Sequence, residues 1–276
     1  RSEDSNALYS LYTKLPIKIT NFDNFHLSSP GFKVFVLLQA YLSRAPISAD
    51  FQADLKVILV IALRLVNAMI DFLSLYGKLS ALLLMELSQM LVQGCWHSDS
   101  PLVQIPHFYG DAKLLTKCQE KHVVSIYGIM ELEDEDRNEI MGLLDSPSRL
   151  NEVANFVNNY PNMEIECTTN IPKNVGTANE SYAASITLTR DDEPESLETV
   201  SETYPEAKRE EWWVVLGIAD SKTLLALKKV IMDRESKSFV LPFSIEKPGT
   251  YTLTVWGICD SYLHADQEMS FDIQIE

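Results

Sequence analysis

The stretch 238-SFVLPFSIEKPGTYTLTV-255 decides the fold. Phe239, Leu241, Phe243 and Ile245 fall on one side of an extended chain, with Ser238, Val240, Pro242 and Ser244 on the other. A period of two is what a strand with one covered face requires. Lys247-Pro248-Gly249 interrupts it as a turn, and Tyr251, Leu253 and Val255 resume it. Downstream, Met269, Phe271, Ile273 and Ile275 repeat the pattern. Upstream, 163–169, 181–190, 211–219 and 223–231 read as strands, so that with 238–245, 250–259 and 268–275 the last 114 residues hold seven. The acidic segment 191–210, with Pro194 and Pro205, reads as a long exposed connection. Seven short strands in such a length predict a β-sandwich of the immunoglobulin or fibronectin-III class.

Before Met163 the period is helical. Val34, Leu37, Leu38, Tyr41 and Leu42 predict a helix from Pro30-Gly31 to Ser43. Ser48, with Asp50 behind it, caps a long helix over 49–76 that ends at Gly77. Its apolar face is Leu55, Ile58, Leu59, Ala62, Val66, Met69, Ile70 and Leu73, widened by Val57, Ile61, Leu65 and Phe72. Gln52, Lys56, Arg64, Asn67, Asp71 and Ser74 share an arc of roughly 120°. The pattern predicts a central helix buried on most sides, with one narrow polar stripe. A further apolar helix follows Ser80, and residues 1–30 read as a short helix and an extended arm. Between 101 and 160 the helices are short, opened by Asp111, Ser125, Asp134 and Ser146-Pro147. The expected organisation is α+β and multidomain: a helical bundle over 1–104, a helix-loop-helix over 105–162 and the sandwich over 163–276. Helices first and strands last exclude Rossmann and P-loop enzymes, which interleave the two.

Composition narrows the function classes. The chain carries a net charge of −16, with 10 Lys/Arg against 21 Asp/Glu in 163–276. Such a field repels polyanions, so the sandwich reads as a protein-binding surface and only the helical part as open to RNA. Arg64 and Glu86 interrupt the two most apolar helices, so no membrane span is expected. The four cysteines lack paired spacing, the histidines lack ligand spacing, and no glycine-rich phosphate loop or nucleophile motif occurs. No catalytic residue, metal site or cofactor is expected. The acids of the run Glu131–Glu139 read as helix-start charges. Candidate RNA-facing residues are Lys56, Arg64 and Asn67 on the polar stripe, and Lys113, Lys117 and Lys121, which recur every four residues. Trp212 and Trp213 open a strand as neighbours. One must enter the core, leaving the other as an interdomain or partner anchor.

Several segments are familiar in combination: 51-FQADLK-56, 64-RLVNAMID-71, 93-QGCW-96, 101-PLVQIPHF-108, 129-IMELEDEDR-137, 208-KREEWW-213, 260-DSYL-263 and 266-DQE-268. Their order and spacing resemble the Sec-sixty-three-type unit of Ski-two-like superfamily-two helicases over essentially the whole chain. The likeness is greatest to the C-terminal such unit of the spliceosomal DExH-box branch. The resemblance implies a helical bundle, a helix-loop-helix and a fibronectin-like sandwich. It also implies a "ratchet" helix lining the nucleic-acid channel, to which the segment around Arg64 corresponds. The second cassette of that branch is regarded as a regulator and protein-binding platform. Lys78 departs from the Trp that often follows the helix-ending Gly. On this resemblance the chain is expected to be a non-catalytic accessory unit in pre-mRNA splicing, in the nucleus. Expected partners are the helicase core of the same chain, spliceosomal proteins of the U-five particle and tri-snRNP, and RNA through the helical part, with no membrane. The same module also occurs in an endoplasmic-reticulum translocation co-chaperone and in other Ski-two-like helicases; the stretch from Pro101 to Arg137 argues against the former.

Overall fold

A computed structural model describes residues 2–19, 29–191 and 196–276. Residues 20–28 of the stretch 1–30 in which an extended arm was expected, and Pro194, lie outside them. The helices are α1 (Ser2–Tyr12), α2 (Pro30–Leu42), α3 (Ala49–Leu75), α4 (Ala81–Gln93), α5 (Ala112–Glu120), α6 (Ile126–Met130), α7 (Asp134–Met141) and α8 (Pro147–Asn159). The strands are β1 (Met163–Thr169), β2 (Val175–Gly176), β3 (Ser181–Arg190), β4 (Trp212–Ile218), β5 (Thr223–Val230), β6 (Ser236–Ser244), β7 (Gly249–Cys259) and β8 (Gln267–Ile275). The expected order, α then β, holds. The strand beyond the expected seven is β2, two residues pairing parallel with β8.

Two sheets form, β1-β3-β6 and β2-β8-β7-β4-β5. Apart from β2 with β8, all neighbours are antiparallel. β4 is buried at every position, as a central strand covered on both faces must be. Trp212, Val214, Leu216 and Ile218 join Ile186, Leu188, Leu241 and Phe243 of the other sheet in one core. Trp213 and Val215 point the opposite way, into a second core with Val36, Leu59, Ile70 and Met85 of the helices. The larger sheet is therefore a partition, with strands on one side and α1–α4 on the other.

Local signals explain the helix ends. Ser48 caps α3 by accepting from the Phe51 amide, and Ser29, Asp111, Ser125 and Ser146 cap α2, α5, α6 and α8 in the same way. Gly77 leaves α3 with φ +62°. The next residues then pair with the open edge of β5: Leu224 N–H donates to Gly77 O and Leu79 N–H to Lys222 O. The α3–α4 turn thus closes a sheet edge that would otherwise template further pairing.

Three expectations change. α3 is not buried on most sides. Its covered stripe is Phe51, Leu55, Leu59, Leu63, Val66 and Ile70. The residues expected to widen that stripe are outside, Val57 at 61% exposed, Ile61 51%, Leu65 58% and Phe72 58%, and so is Met69 of the expected apolar face itself, at 50%. Second, α3 is long and apolar enough to cross a membrane by length and composition, with mean hydropathy 2.1 in its most apolar window, so Arg64 does not break the pattern as expected. In this fold its opposite side is docked on α4 and β5. Third, the described part of 191–210 is not simply exposed. Thr199 N–H donates to Lys208 O and Glu210 N–H to Leu197 O. Ser201 reaches Val92 O, and Tyr41 Oη and Thr203 lie 2.9 Å apart.

Candidate interaction surfaces

Among the described residues, three polar assemblies tie elements to one another, and an apolar face of α3 is left over. The first assembly is at residues 259–266. Ser88 donates to Asp260 O at 3.0 Å, Gln89 Nε2 to Cys259 O at 2.7 Å, and Gln93 Nε2 to Ser261 O at 2.8 Å. Gln104 clamps Leu263, accepting from its N–H at 2.9 Å and donating to its O at 3.1 Å. Tyr160, from the end of α8, also donates to Leu263 O. One irregular segment thus receives donors from α4, from the 3₁₀ turn Pro101–Gln104 and from α8. Gln89 also donates to Asp266, which accepts from the Cys259 N–H as well. Burial nevertheless pushes the Asp266 carboxyl up to about 7, against both hydrogen bonds. Sequence reasoning did not select these glutamines. Their signal was present: Gln89 and Gln93 sit one turn apart in a helix that is otherwise Leu, Met, Val and Ala apart from Glu86 and Ser88.

The second assembly joins α3 to the sheet. Lys229 Nζ donates to Asn67 Oδ1 at 3.1 Å, pairs with Glu211 at 2.6 Å and Asp260 at 3.4 Å, and lies 4.8 Å over the Trp213 ring. Asn67 donates in turn to Leu63 O. Asn67 and Trp213, proposed from sequence for separate roles, therefore meet through one lysine as an interdomain contact. Arg64 is exposed and lines a cleft of about 600 Å³ with Tyr204, Lys208, Arg209 and the acids Asp71, Glu206 and Glu211. Lys56 is exposed two turns away and does not line it. Trp212 does not face a partner at all: its Nε1 donates to Glu210, which pairs with Arg190 at 2.9 Å, both charged side chains 2–3% exposed.

The third assembly concerns the lysine ridge. Lys117 pairs with Glu120 and Glu139, and Lys121 with Asp136 and Glu139. These contacts raise both lysine pKa values and lower that of Glu139. Ridge and acidic run, separate in sequence, form an electrostatic seam between α5 and α7. Lys113 remains at the surface. Among the described residues no cluster of three His, Cys, Asp or Glu side chains suits a metal ion, and the cysteines are unpaired.

The leftover face runs the length of α3. Val57, Ile61, Leu65, Met69, Phe72 and Tyr76 project from it at intervals of three or four residues, each at least half exposed. The Phe72 and Tyr76 rings touch in a tilted pair, centroids 4.8 Å apart and planes at 47°. A continuous apolar stripe of this size on one helix marks a surface that something covers.

Comparison with known proteins follows the same lines. The model of the family described as Sec63 Brl domain matches residues 1–272. The chain is 35% identical over 277 residues to the human U5 small nuclear ribonucleoprotein 200 kDa helicase, with all of this chain covered and 12% of the relative. It is 37% identical over 265 residues to the Arabidopsis thaliana DExH-box ATP-dependent RNA helicase DExH12, covering 93% of this chain and 12% of that one. It is 33% identical over 279 residues to the Schizosaccharomyces pombe pre-mRNA-splicing factor brr2, again 12% of its length.

Proposed function

This chain belongs to the Sec63 Brl domain family, and from that premise we propose that it is a non-catalytic accessory and protein-interaction unit of a spliceosomal RNA helicase. It acts in the nucleus, in pre-mRNA splicing, within the machinery of U-four/U-six unwinding. Its helical part braces the helicase core of its own chain. Its remaining surfaces meet spliceosomal proteins of the U-five particle and tri-snRNP. The relatives' names support the machine, and the chain spans about 12% of their length, enough for one accessory unit.

The observation that carries the bracing role is the bare face of α3 from Val57 to Tyr76. Arg64, next to Leu65 and exposed, is the residue placed to touch RNA at the edge of that contact, with Lys56 two turns along. Asn67 is held by Lys229, and Lys117 and Lys121 by acids, which favours Arg64 and Lys56 over them as its RNA contacts. The division into 1–104, 105–162 and 163–276 belongs to the same reading, as does the immunoglobulin or fibronectin-III class of the two-sheet unit. Supporting that class are the three-plus-five strand order and Tyr251, whose hydroxyl donates to Lys247 O at the β6–β7 corner.

The test is binding in trans to a helicase core lacking this unit, by pull-down with and without nuclease. The wild-type chain is retained after nuclease treatment, while the Leu65→Asp/Phe72→Asp variant is lost. Retention of that variant, or loss of the wild type with nuclease, would remove the bracing role. Site-dependent ATPase activity in the isolated chain would remove the non-catalytic one.

A further inference from the structure

α6, α7 and α8 do not close over one another. Between them runs a cleft of about 740 Å³, walled by Met130, Met141, Leu150, Ala154 and Val157. Its floor is core: Ile129 and Val153 are each 1% exposed. Its walls are not: Leu150 is 41% exposed, Ala154 is exposed, and Met130, Met141 and Val157 are half-buried. Leu150, Ala154 and Val157 are spaced as one face of α8. A groove between two helices, offering apolar contacts at helical spacing, is the shape that receives a third helix. Methionine walls suit it further, because thioethers adapt to the face presented.

The charge around the cleft selects the occupant. Arg137 reaches into it, but its guanidinium donates to the carbonyls of Met130 and Leu132 and pairs with Asp134. Asp136 and Glu139 are held by the α5 lysines. The α8 charges turn to their own neighbours, Arg149 to Asp145 and Glu152 to His107. What is left is Glu131, Glu133 and Glu135, which do not line the cleft but are exposed on the chain that leads from the cleft-lining Met130 into α7. An acidic helix or a nucleic acid would be repelled there.

We propose that this cleft is a docking groove for a basic amphipathic helix of a partner protein. The partner's apolar face seats between α7 and α8, and its lysines or arginines meet Glu131, Glu133 and Glu135. Charge complementarity fixes the partner's sign and the two-helix groove its shape. The site uses none of the α3 face, so it stands or falls independently of the bracing role.

Fluorescence anisotropy of the whole chain with three labelled synthetic peptides, each a helix of roughly five turns, tests this. One is an amphipathic leucine/lysine helix, one has glutamate for every lysine, and one scrambles the leucine/lysine order. The ordered basic helix is expected to bind at least roughly tenfold tighter than either control, and to weaken as salt rises. Leu150→Asp, and separately the triple change Glu131→Lys, Glu133→Lys and Glu135→Lys, should each weaken it by roughly tenfold or more. All four positions are exposed, and circular dichroism would verify that the fold is kept. Equal binding of the scrambled peptide, no effect of Leu150→Asp, or no saturable binding would overturn the proposal. Self-association abolished by Leu150→Asp would overturn the partner named, giving the groove to a second copy.

Discussion

Asp266→Asn is the perturbation whose consequence can be worked furthest from the structure. The Asp266 carboxyl sits under α4, accepting from Gln89 Nε2 and the Cys259 N–H. Burial is the largest influence and raises it from 3.8 to about 7, with Glu86 adding a smaller push the same way. The rings of His264 and His97, 5.2 Å apart, lie nearby, and burial lowers the pKa of the former. An acid whose folded pKa exceeds its unfolded value takes up its proton first in the folded state. Stability therefore rises as pH falls through 7 and levels off near the unfolded value. Each pH unit in that window is worth about 1.4 kcal/mol, so the contribution between pH 8 and pH 5 is about 3 kcal/mol. His264 acts oppositely, losing stability as pH falls, but it is common to both proteins and cancels in their difference. Asn at 266 also asks the Gln89 amide to turn, which adds a constant offset. The assay is urea unfolding of wild type and Asp266→Asn at half-unit steps from pH 8.5 to 4.5. Wild type should gain on the variant by about 3 kcal/mol on acidification. A gap that is flat, or that moves the other way, would refute the reasoning and mean that the two hydrogen bonds keep the carboxylate charged.

The remaining predictions concern the same interfaces. Glu210→Ala should destabilise by about 3–5 kcal/mol in urea titrations, because Arg190 is left charged in the core, whereas Arg190→Met with Glu210→Met should recover most of that loss. Gln104→Ala, which leaves the buried Leu263 N–H without its acceptor while Tyr160 still donates to Leu263 O, should cost about 1–3 kcal/mol by the same assay. Gly94→Ala should lower the melting temperature, since φ is +61° there and a Cβ would come within 2.5 Å of Thr203 Oγ1. Leu65→Asp with Phe72→Asp should leave isolated-chain stability within about 0.5 kcal/mol, both residues being more than half exposed.

What was legible before the structure, and what was not, divides along physical lines. Alternation located the long strands because a half-covered strand writes its burial into every second residue. The adjacency of Trp212 and Trp213 was enough to deduce that they face opposite ways. β2 left no such mark: two residues are too few for a period, and its partner is 99 positions away in register, Val175 opposite Gln274 being the first pair. On α3 periodicity revealed a wide apolar surface but could not say how much of it the chain covers. That depends on where α2, α4 and β5 dock, and they cover one stripe only. The lysines of α5 looked available because the acids that hold them lie across a turn, in another helix. Gln89 and Gln93 were readable in principle, since an amide in an apolar helix needs a buried partner.

The account rests on the bare face of α3 being the one that meets the helicase core. Hydroxyl-radical footprinting of Met69, Phe72 and Tyr76, in this chain alone and within an intact helicase containing it, examines that contact directly. The account predicts that all three oxidise readily in the isolated chain and are protected in the intact protein, while Val124, 73% exposed and far from α3 in sequence, oxidises equally in both. Equal oxidation of Met69, Phe72 and Tyr76 in the two states would contradict it.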